Sequence, residues 1–194
     1  MVLDLSARSD YELIIMDRPM PDLSFRFMEL FFLVRDLIRP REKILAETGL
    51  KAGSLVLDFG CGPGSYSIAA ARLAGPSGKV FALDIHPLAL ATVRRRAAKA
   101  GLRSIETISS DAATGLPDSH VDLVLLYDIL HMLGDPEGVF RELCRVLKPD
   151  GRLSVSDHHM KKNDVISKVT ASGLFRPAGG GRHTRTFMKE PGAD

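Results

Sequence analysis

Residues 55–65, LVLDFGCGPGS, begin as an apolar strand and break into three glycines, Gly60, Gly62 and Gly64, each separated by one other residue. The Ala-rich stretch YSIAAARLAG follows at once and reads as a helix that stops at Gly75 and Pro76. Glycine lets the chain turn sharply and brings backbone N–H groups against a ligand with no Cβ in the way. The helix N-terminus behind that turn favours a carboxylate or a phosphate. Strand, glycine turn and helix in this order point to an open parallel sheet, whose ligand crevice lies at the carboxyl ends of its strands.

The same alternation continues downstream. KVFALD is a second strand, Pro87 opens a helix that Gly101 ends, and IETISSD is a third strand. VDLVLLYD is the most continuous apolar run and reads as a central strand buried on both faces. Asp135 caps a helix with Pro136 at its first position, KPDG reads as a turn, RLSVSD as a fifth strand and residues 163–173 as a helix. The tail LFRP and RHTRTFMKE reads as two strands joined by the AGGG loop, too close for a crossover helix and therefore antiparallel. The expected fold is α/β: a single Rossmann-like domain with a mostly parallel sheet and helices on both faces.

Ahead of this core, SFRFMELFFLVRDLIRP places Phe27, Leu30, Phe31, Val34, Leu37 and Ile38 on one helical stripe, ended by Pro40. Phe25, Met28 and Phe32 form a second stripe offset from the first. Packing on the domain, a lid over the site and a homodimer surface are equal readings of this second stripe. Residues 1–50 are assigned to a helical cap of the same domain, and 51–194 to the core.

A length of 194 residues fits one domain, and 45% hydrophobic residues suffice for an ordinary core. The formal net charge of +2 lacks the concentrated basic face of a nucleic-acid partner. The run Arg94, Arg95, Arg96 fans around its helix and reads as a solvated face. Cys61 and Cys144 form no C-x-x-C pair and are read as reduced, hence a cytoplasmic protein. Asp4, Arg8 and Asp10 argue against a signal peptide, and no apolar run reaches the roughly 20 residues that cross a bilayer.

Acids decide between ligands of the glycine loop. A nicotinamide fingerprint wants a sixth-position glycine where this chain has Ser65. Asp84 closes the second strand about 20 residues past the loop, the spacing at which an acid accepts both ribose hydroxyls. Asp111, followed by Ala112, closes the third strand and suits an adenine amino group, while Asp58 precedes the glycines and could hold the loop or an ammonium group. Acids at three strand tips suit a ligand with hydroxyls and amines rather than a pyrophosphate.

VLDFGCGPG, ALDIHP, SSDAATGLP, VDLVLLYDILHML and RVLKPDGRL, in this order, resemble the class I S-adenosylmethionine-dependent methyltransferases over residues 56–153. The resemblance implies a seven-stranded sheet with an antiparallel last strand and S-adenosylmethionine as cofactor. It also implies Gly60, Gly62 and Gly64 around the methionine portion, Asp84 on the ribose, Ile85 against the adenine, and Asp111 with Ala112 at its edge. Among relatives, LDFGCGPG and LKPDG look most like the quinone-biosynthesis and general small-molecule branch.

A sulfonium methyl is already activated, so transfer is an in-line displacement that needs alignment, exclusion of water and, for some nucleophiles, a base. Tyr127, Asp128 and His131 after the fourth strand, and Asp157, His158 and His159 after the fifth, are the candidates near the acceptor. Asp128, His131 and His158 are assigned to catalysis and Tyr127 to the cofactor-binding set. Adjacent His158 and His159 should point to opposite faces. A metal centre of Asp128, His131 and His158 is a lesser alternative, without an i,i+4 pair or cysteine cluster behind it. With no large insertion for a folded macromolecule, the expected acceptor is a small molecule and no membrane or nucleic-acid partner is assigned. A nicotinamide-dependent oxidoreductase and a non-catalytic binder of S-adenosylmethionine are the alternatives.

Overall fold

The computed structural model describes residues 21–38 and 40–193. Asp4, Arg8 and Asp10 lie outside the described residues, as do the side chains of Val34 and Leu37. Strands β1 (Leu55–Phe59), β2 (Lys79–Asp84), β3 (Ile105–Ser109), β4 (Val121–Tyr127), β5 (Leu147–Ser156), β6 (Phe175–Gly180) and β7 (Arg185–Lys189) form one sheet. Its order is β3-β2-β1-β4-β5-β7-β6. The first five strands pair in parallel, and β7 pairs antiparallel with both β5 and β6. The reversed strand therefore lies inside the sheet, one place from its edge.

The helices are α1 (Asp22–Ile38), α2 (Arg41–Leu45), α3 (Ser65–Ala74), α4 (Pro87–Lys99), α5 (Pro136–Val146) and α6 (Lys162–Thr170). Alternate strand residues go to opposite faces, and both faces are buried, which explains the unbroken apolar runs of β1, β2 and β4. Leu57, Phe59, Phe81, Leu83, Val124 and Leu126 meet α5 and α6 on one side. Val56, Val80, Leu123 and Leu125 meet Leu45 of α2 and Ala69, Ala70 and Ala71 of α3 on the other. Small alanines let α3 lie close to the sheet, directly behind the glycine turn. Asp135 caps α5 as expected, its carboxylate accepting the Gly138 N–H at 2.9 Å.

Three local expectations change. KPDG is not a turn: β5 continues through it, and Lys148, Pro149, Asp150 and Gly151 bulge out opposite Asp122 alone. Asp122 sustains the bulge, accepting from Lys148 Nζ at 2.5 Å and from the Leu55 N–H at 2.7 Å. Ala178, Gly179 and Gly180 of the AGGG segment belong to β6, with a register shift after Pro177, and the connecting turn falls at 181–184. The Glu47 carboxylate organises that turn by accepting the N–H groups of His183 and Thr184 at 3.0 Å each. Finally, the arginine run is not simply a solvated face. Arg95 pairs with Glu29 of α1, and Arg96 donates to the Pro63 carbonyl at 2.8 Å and pairs with Asp36 of α1 at 3.5 Å.

These pairs fasten α1 across the carboxyl end of the sheet. The offset stripe turns inward: Phe25 is buried with its ring 4.5 Å from that of His86, while Met28 and Phe32 are half-buried. Leu23, Phe27, Leu30, Phe31 and Ile38 are exposed, so the broader stripe faces outward.

Candidate functional site

The glycine turn is built from left-handed backbone and tied to the neighbouring strand. Gly60, Gly62 and Gly64 have φ of +73°, +50° and +81°, a region that L-side chains avoid. The N–H groups of Gly60 and Cys61 both donate to the Leu83 carbonyl at 2.9 Å. A Cβ on Gly60 would run into Ile129 and one on Gly64 into Val93, whereas one on Gly62 would project into open space. The first and third glycines therefore serve packing, and the middle one leaves room. Asp84 at the tip of β2 reaches across, its Oδ2 accepting the Gly62 N–H and its Oδ1 the His86 N–H, both at 2.8 Å.

Beneath the turn, Asp58 is buried and accepts the Ser67 hydroxyl at 2.5 Å. Burial, augmented by the charge of Asp84 and opposed by the Ser67 hydrogen bond, pushes its carboxyl up to about 7. Burial also raises Asp84, against the hydrogen bonds from His86 and Gly62. A cationic neighbour would favour the ionised form of both acids.

A cavity of about 270 Å³ separates these strand tips from α1. Asp58, Gly60, Gly62, Asp84 and Ile85 line one wall, Tyr127 and Asp128 the tip of β4, and Phe25, Met28, Phe32 and Arg35 the α1 side. Tyr127 is buried, its hydroxyl 2.8 Å from Ser154 Oγ and its ring 4.5 Å from Tyr66 in an edge-on arrangement. Burial raises the pKa of both phenols. They are neutral walls, not bases, at ordinary pH.

Past the tips of β4 and β5, two carboxylates hold two imidazoles. Asp128 has φ +56°, and its Oδ1 accepts from both the backbone N–H of His158 at 3.2 Å and its ring at Nδ1, 2.7 Å away. Asp157 Oδ2 accepts the His131 N–H at 3.0 Å and lies 2.8 Å from its Nδ1, while Oδ1 accepts the His159 N–H at 3.0 Å. Burial would raise Asp157, but these bonds together hold it below the usual carboxylate range. His159 bridges the two pairs, its ring 3.9 Å from His158 and 4.3 Å from His131. His158 and His159 do not diverge because they sit in a turn after β5, where strand alternation no longer applies.

The expected cofactor residues Asp58, Gly60, Gly62, Asp84, Ile85 and Tyr127 thus meet at one cavity, with Asp128. Gly64 packs behind the turn; Asp111 is exposed, and Ala112 packs beside the core formed by α5 and α6. Neither Asp111 nor Ala112 lines the cavity, nor do His131 and His158. Asp128 pairs with His158 and Asp157 with His131, and among the described residues no group of three or more His, Cys, Asp or Glu side chains is placed to hold a metal ion. Sequence reasoning missed Arg35, Tyr66 and Met132. They come from α1, α3 and the β4–α5 loop and meet only in three dimensions. The one available signal was Arg35 falling three residues after Phe32, on the inward stripe.

The donor set tests well against a nucleoside bearing an amino-acid tail and a sulfonium. Gly62 opens onto the cavity, Asp84 stands beside it, and the buried acids answer positive charge. Fold and site together define the class of S-adenosylmethionine-dependent methyltransferases. Residues 50–180 match the family model described as a methyltransferase domain, and the chain belongs to that family. It is 35% identical over 134 residues to the ubiquinone/menaquinone biosynthesis C-methyltransferase UbiE of Pseudomonas fluorescens, covering 67% of this chain and 52% of that protein. The demethylmenaquinone methyltransferase of Lactobacillus johnsonii is 32% identical over 128 residues, covering 65% and 52% respectively. The chain thus spans about half the length of these relatives. A S-adenosylmethionine-dependent methyltransferase from Aquifex aeolicus superposes with a TM-score of 0.68 at 26% identity, over 80% of this chain and 95% of that one. Among the described residues no helix is long and apolar enough to cross a membrane.

Proposed function

We propose that the protein transfers a methyl group from S-adenosylmethionine to a small aromatic acceptor held between the β4 tip and α1. The observation that supports this reading is the Asp84–Gly62 hydrogen bond at 2.8 Å beside the cavity, which joins the acid at the tip of β2 to a turn with open space in front of it. Asp84 would hold the ribose hydroxyls, Ile85 the adenine face with Asp111 and Ala112 toward its edge, and the turn of Gly60, Gly62 and Gly64 the amino-acid tail. The cofactor supplies an activated methyl on a positively charged sulfur. The residues of this chain supply alignment and a dry cavity.

Phe25, Met28, Phe32, Ile129 and Met132 make the acceptor side apolar, which suits a flat ring. Asp128 Oδ2 receives no hydrogen bond from the described residues, because His158 bonds to Oδ1. It is the group proposed to take the acceptor's proton, with His158 holding it through Oδ1 and His131, outside the cavity lining, held by Asp157. The C-methyltransferase name of the Pseudomonas fluorescens relative supports carbon as the methylated atom, and the apolar acceptor side supports a ring carbon. A cytoplasmic location, the absence of a nucleic-acid partner and a homodimer through the exposed face of α1 complete the reading.

Thermal-shift titration with S-adenosylhomocysteine and with NAD checks the cofactor; stabilisation by NAD alone would overturn the proposal. Incubation with methyl-labelled cofactor and a panel of phenols, naphthols and quinols should yield a labelled ring product. Labelling of none of them would reduce the protein to a binder.

A further inference from the structure

The strand-tip wall of the cavity is acidic, and the α1 wall is not. Among the described residues, Asp36 is the one carboxylate facing three guanidiniums: Arg41 Nε at 2.9 Å, Arg35 Nη2 at 3.3 Å and Arg96 Nη2 at 3.5 Å. Its Oδ2 also accepts the Ser65 hydroxyl. Other acids of this face are occupied elsewhere, Glu29 by Arg95 and Glu42 by Arg72. The cluster therefore carries more positive than negative charge in a half-dry setting, where such an excess is costly without an anion.

A second observation converges on the same residues. Among the described residues, the buried side-chain nitrogens and oxygens without a hydrogen-bond partner are Arg35 Nε and Arg41 Nη2. Buried donors of this kind are rare and call for a partner. Arg41 is turned toward Tyr66, donating to its hydroxyl at 3.3 Å. Arg35 lines the cavity itself, its side chain 19% exposed and its guanidinium 3.9 Å above the Phe32 ring. Stacking on Phe32 fixes the plane of the guanidinium and leaves its edge for an in-plane acceptor.

We infer that Arg35 is the anion-recognition residue of the cavity, binding a carboxylate or phenolate oxygen of the bound small molecule. The oxygen comes either from the acceptor or from the amino-acid tail of the cofactor, and the inference rests on the function proposed above. It gives the cavity opposed walls, acids over a sulfonium nucleoside and one cation over an oxyanion. Ser65 fits the same picture: at the position where a nicotinamide site has glycine, this chain has a hydroxyl that braces Asp36 under Arg35.

Calorimetry on the full chain separates the sources, using Arg35→Gln, Arg35→Lys and, as a surface control outside the cavity, Arg72→Gln. S-adenosylhomocysteine is compared with 5′-methylthioadenosine, which lacks the tail, and 1-hydroxy-2-naphthoate with neutral 1-naphthol. If the tail is the anion, Arg35→Gln weakens S-adenosylhomocysteine by about 10- to 100-fold, leaves 5′-methylthioadenosine unchanged, and Arg35→Lys recovers part of the loss. If the acceptor is the anion, both nucleosides are unaffected and the preference for the naphthoate over the naphthol disappears. Unchanged binding of all four probes would overturn the inference, and so would equal losses for both nucleosides, which mark a scaffold residue. Failure of the unaltered protein to bind either nucleoside would instead remove the proposed function, and this inference with it.

Discussion

Asp84 Oδ2 accepts the Gly62 N–H at 2.8 Å, so the acid that tips β2 also closes the glycine turn at the end of β1. On the function proposed here, one carboxylate thus serves both ligand recognition and loop geometry. Removing it should cost both. Asp84→Ala is expected to weaken S-adenosylhomocysteine at least about 100-fold, roughly 3 kcal/mol, while His131→Ala stays within about threefold. Titration calorimetry showing equal losses for the two would undo the division between cofactor and acceptor sides.

Gly62 and Gly75 make a matched pair. Both have positive φ, +50° and +69°, and both have open space where a Cβ would go, but Gly62 lines the cavity. Alanine at either position should cost about 1–2 kcal/mol of stability through backbone strain. Gly62→Ala should also lose at least about 10-fold in S-adenosylhomocysteine affinity, and Gly75→Ala none. Denaturant melts paired with binding isotherms on both variants check this.

The free energy of binding should depend on pH through Asp58, whose carboxyl is pushed up to about 7 by burial. In the free protein it holds its proton below that value, and a cationic ligand nearby favours the ionised form. Affinity for S-adenosylmethionine should therefore rise as pH goes from 6 to 8, with proton release on binding below 7. Calorimetry in buffers of different ionisation enthalpy measures the released proton directly; a pH-independent affinity in both wild type and Asp58→Asn would contradict the assignment. Without ligand the sign reverses for folding. The folded chain binds the extra proton between the ordinary value of 3.8 and about 7, so this group favours the fold less as pH rises through that window.

Asp128 and Asp157 should differ in what they control. Asp128→Asn removes the carboxylate proposed to take the acceptor's proton and is expected to lower kcat by about 100-fold or more with little change in S-adenosylhomocysteine affinity. Asp157→Asn leaves the cavity lining intact but releases His131, so it should lower kcat by about 10-fold and move the pH profile. Steady-state rates against pH for both variants provide the comparison; a flat ratio between Asp157→Asn and wild type across pH 5–9 would assign Asp157 a purely architectural part.

Away from the site, Glu142 of α5 accepts the Thr114 N–H at 2.8 Å and pairs with Arg145 at 2.8 Å. Hydrogen bonding to Arg145 leads the effects that lower its carboxyl to about 2, burial opposing. Its contribution to the fold is present above the ordinary value of 4.5 and is lost as pH falls from there toward 2. Glu142→Gln should cost about 1–2 kcal/mol at pH 7, and its urea midpoint should converge on that of wild type in acid.

The glycine turn, Asp58 and Asp84 on the first two strands and the antiparallel tail were legible because each is local: the residues that signal it are neighbours in the chain, whereas Asp111 falls past the end of β3 and does not line the cavity. The bulge at Lys148 was not, since KPDG carries strong turn chemistry and only Asp122, on another strand, keeps it extended. The arginine run misled for the same reason. Arg95 and Arg96 take their meaning from Glu29 and Asp36 on a helix some sixty residues earlier in the chain. Periodicity found both apolar stripes of α1 but not which one turns inward, and it is the narrower that carries Phe25 against His86. Pairing of His131 with Asp157 rather than Asp128 was likewise hidden, because strand tips specify proximity but not which carboxylate each imidazole meets.

Because β7 lies between β5 and β6, the outermost strand is translated before the one that must separate it from its neighbours. While the ribosome is still short of residue 189, β5 presents an unpaired edge and β6 has no partner in its final register. The nascent domain must hold that edge open against the strand that has already emerged, and against other chains, until its later-born neighbour arrives.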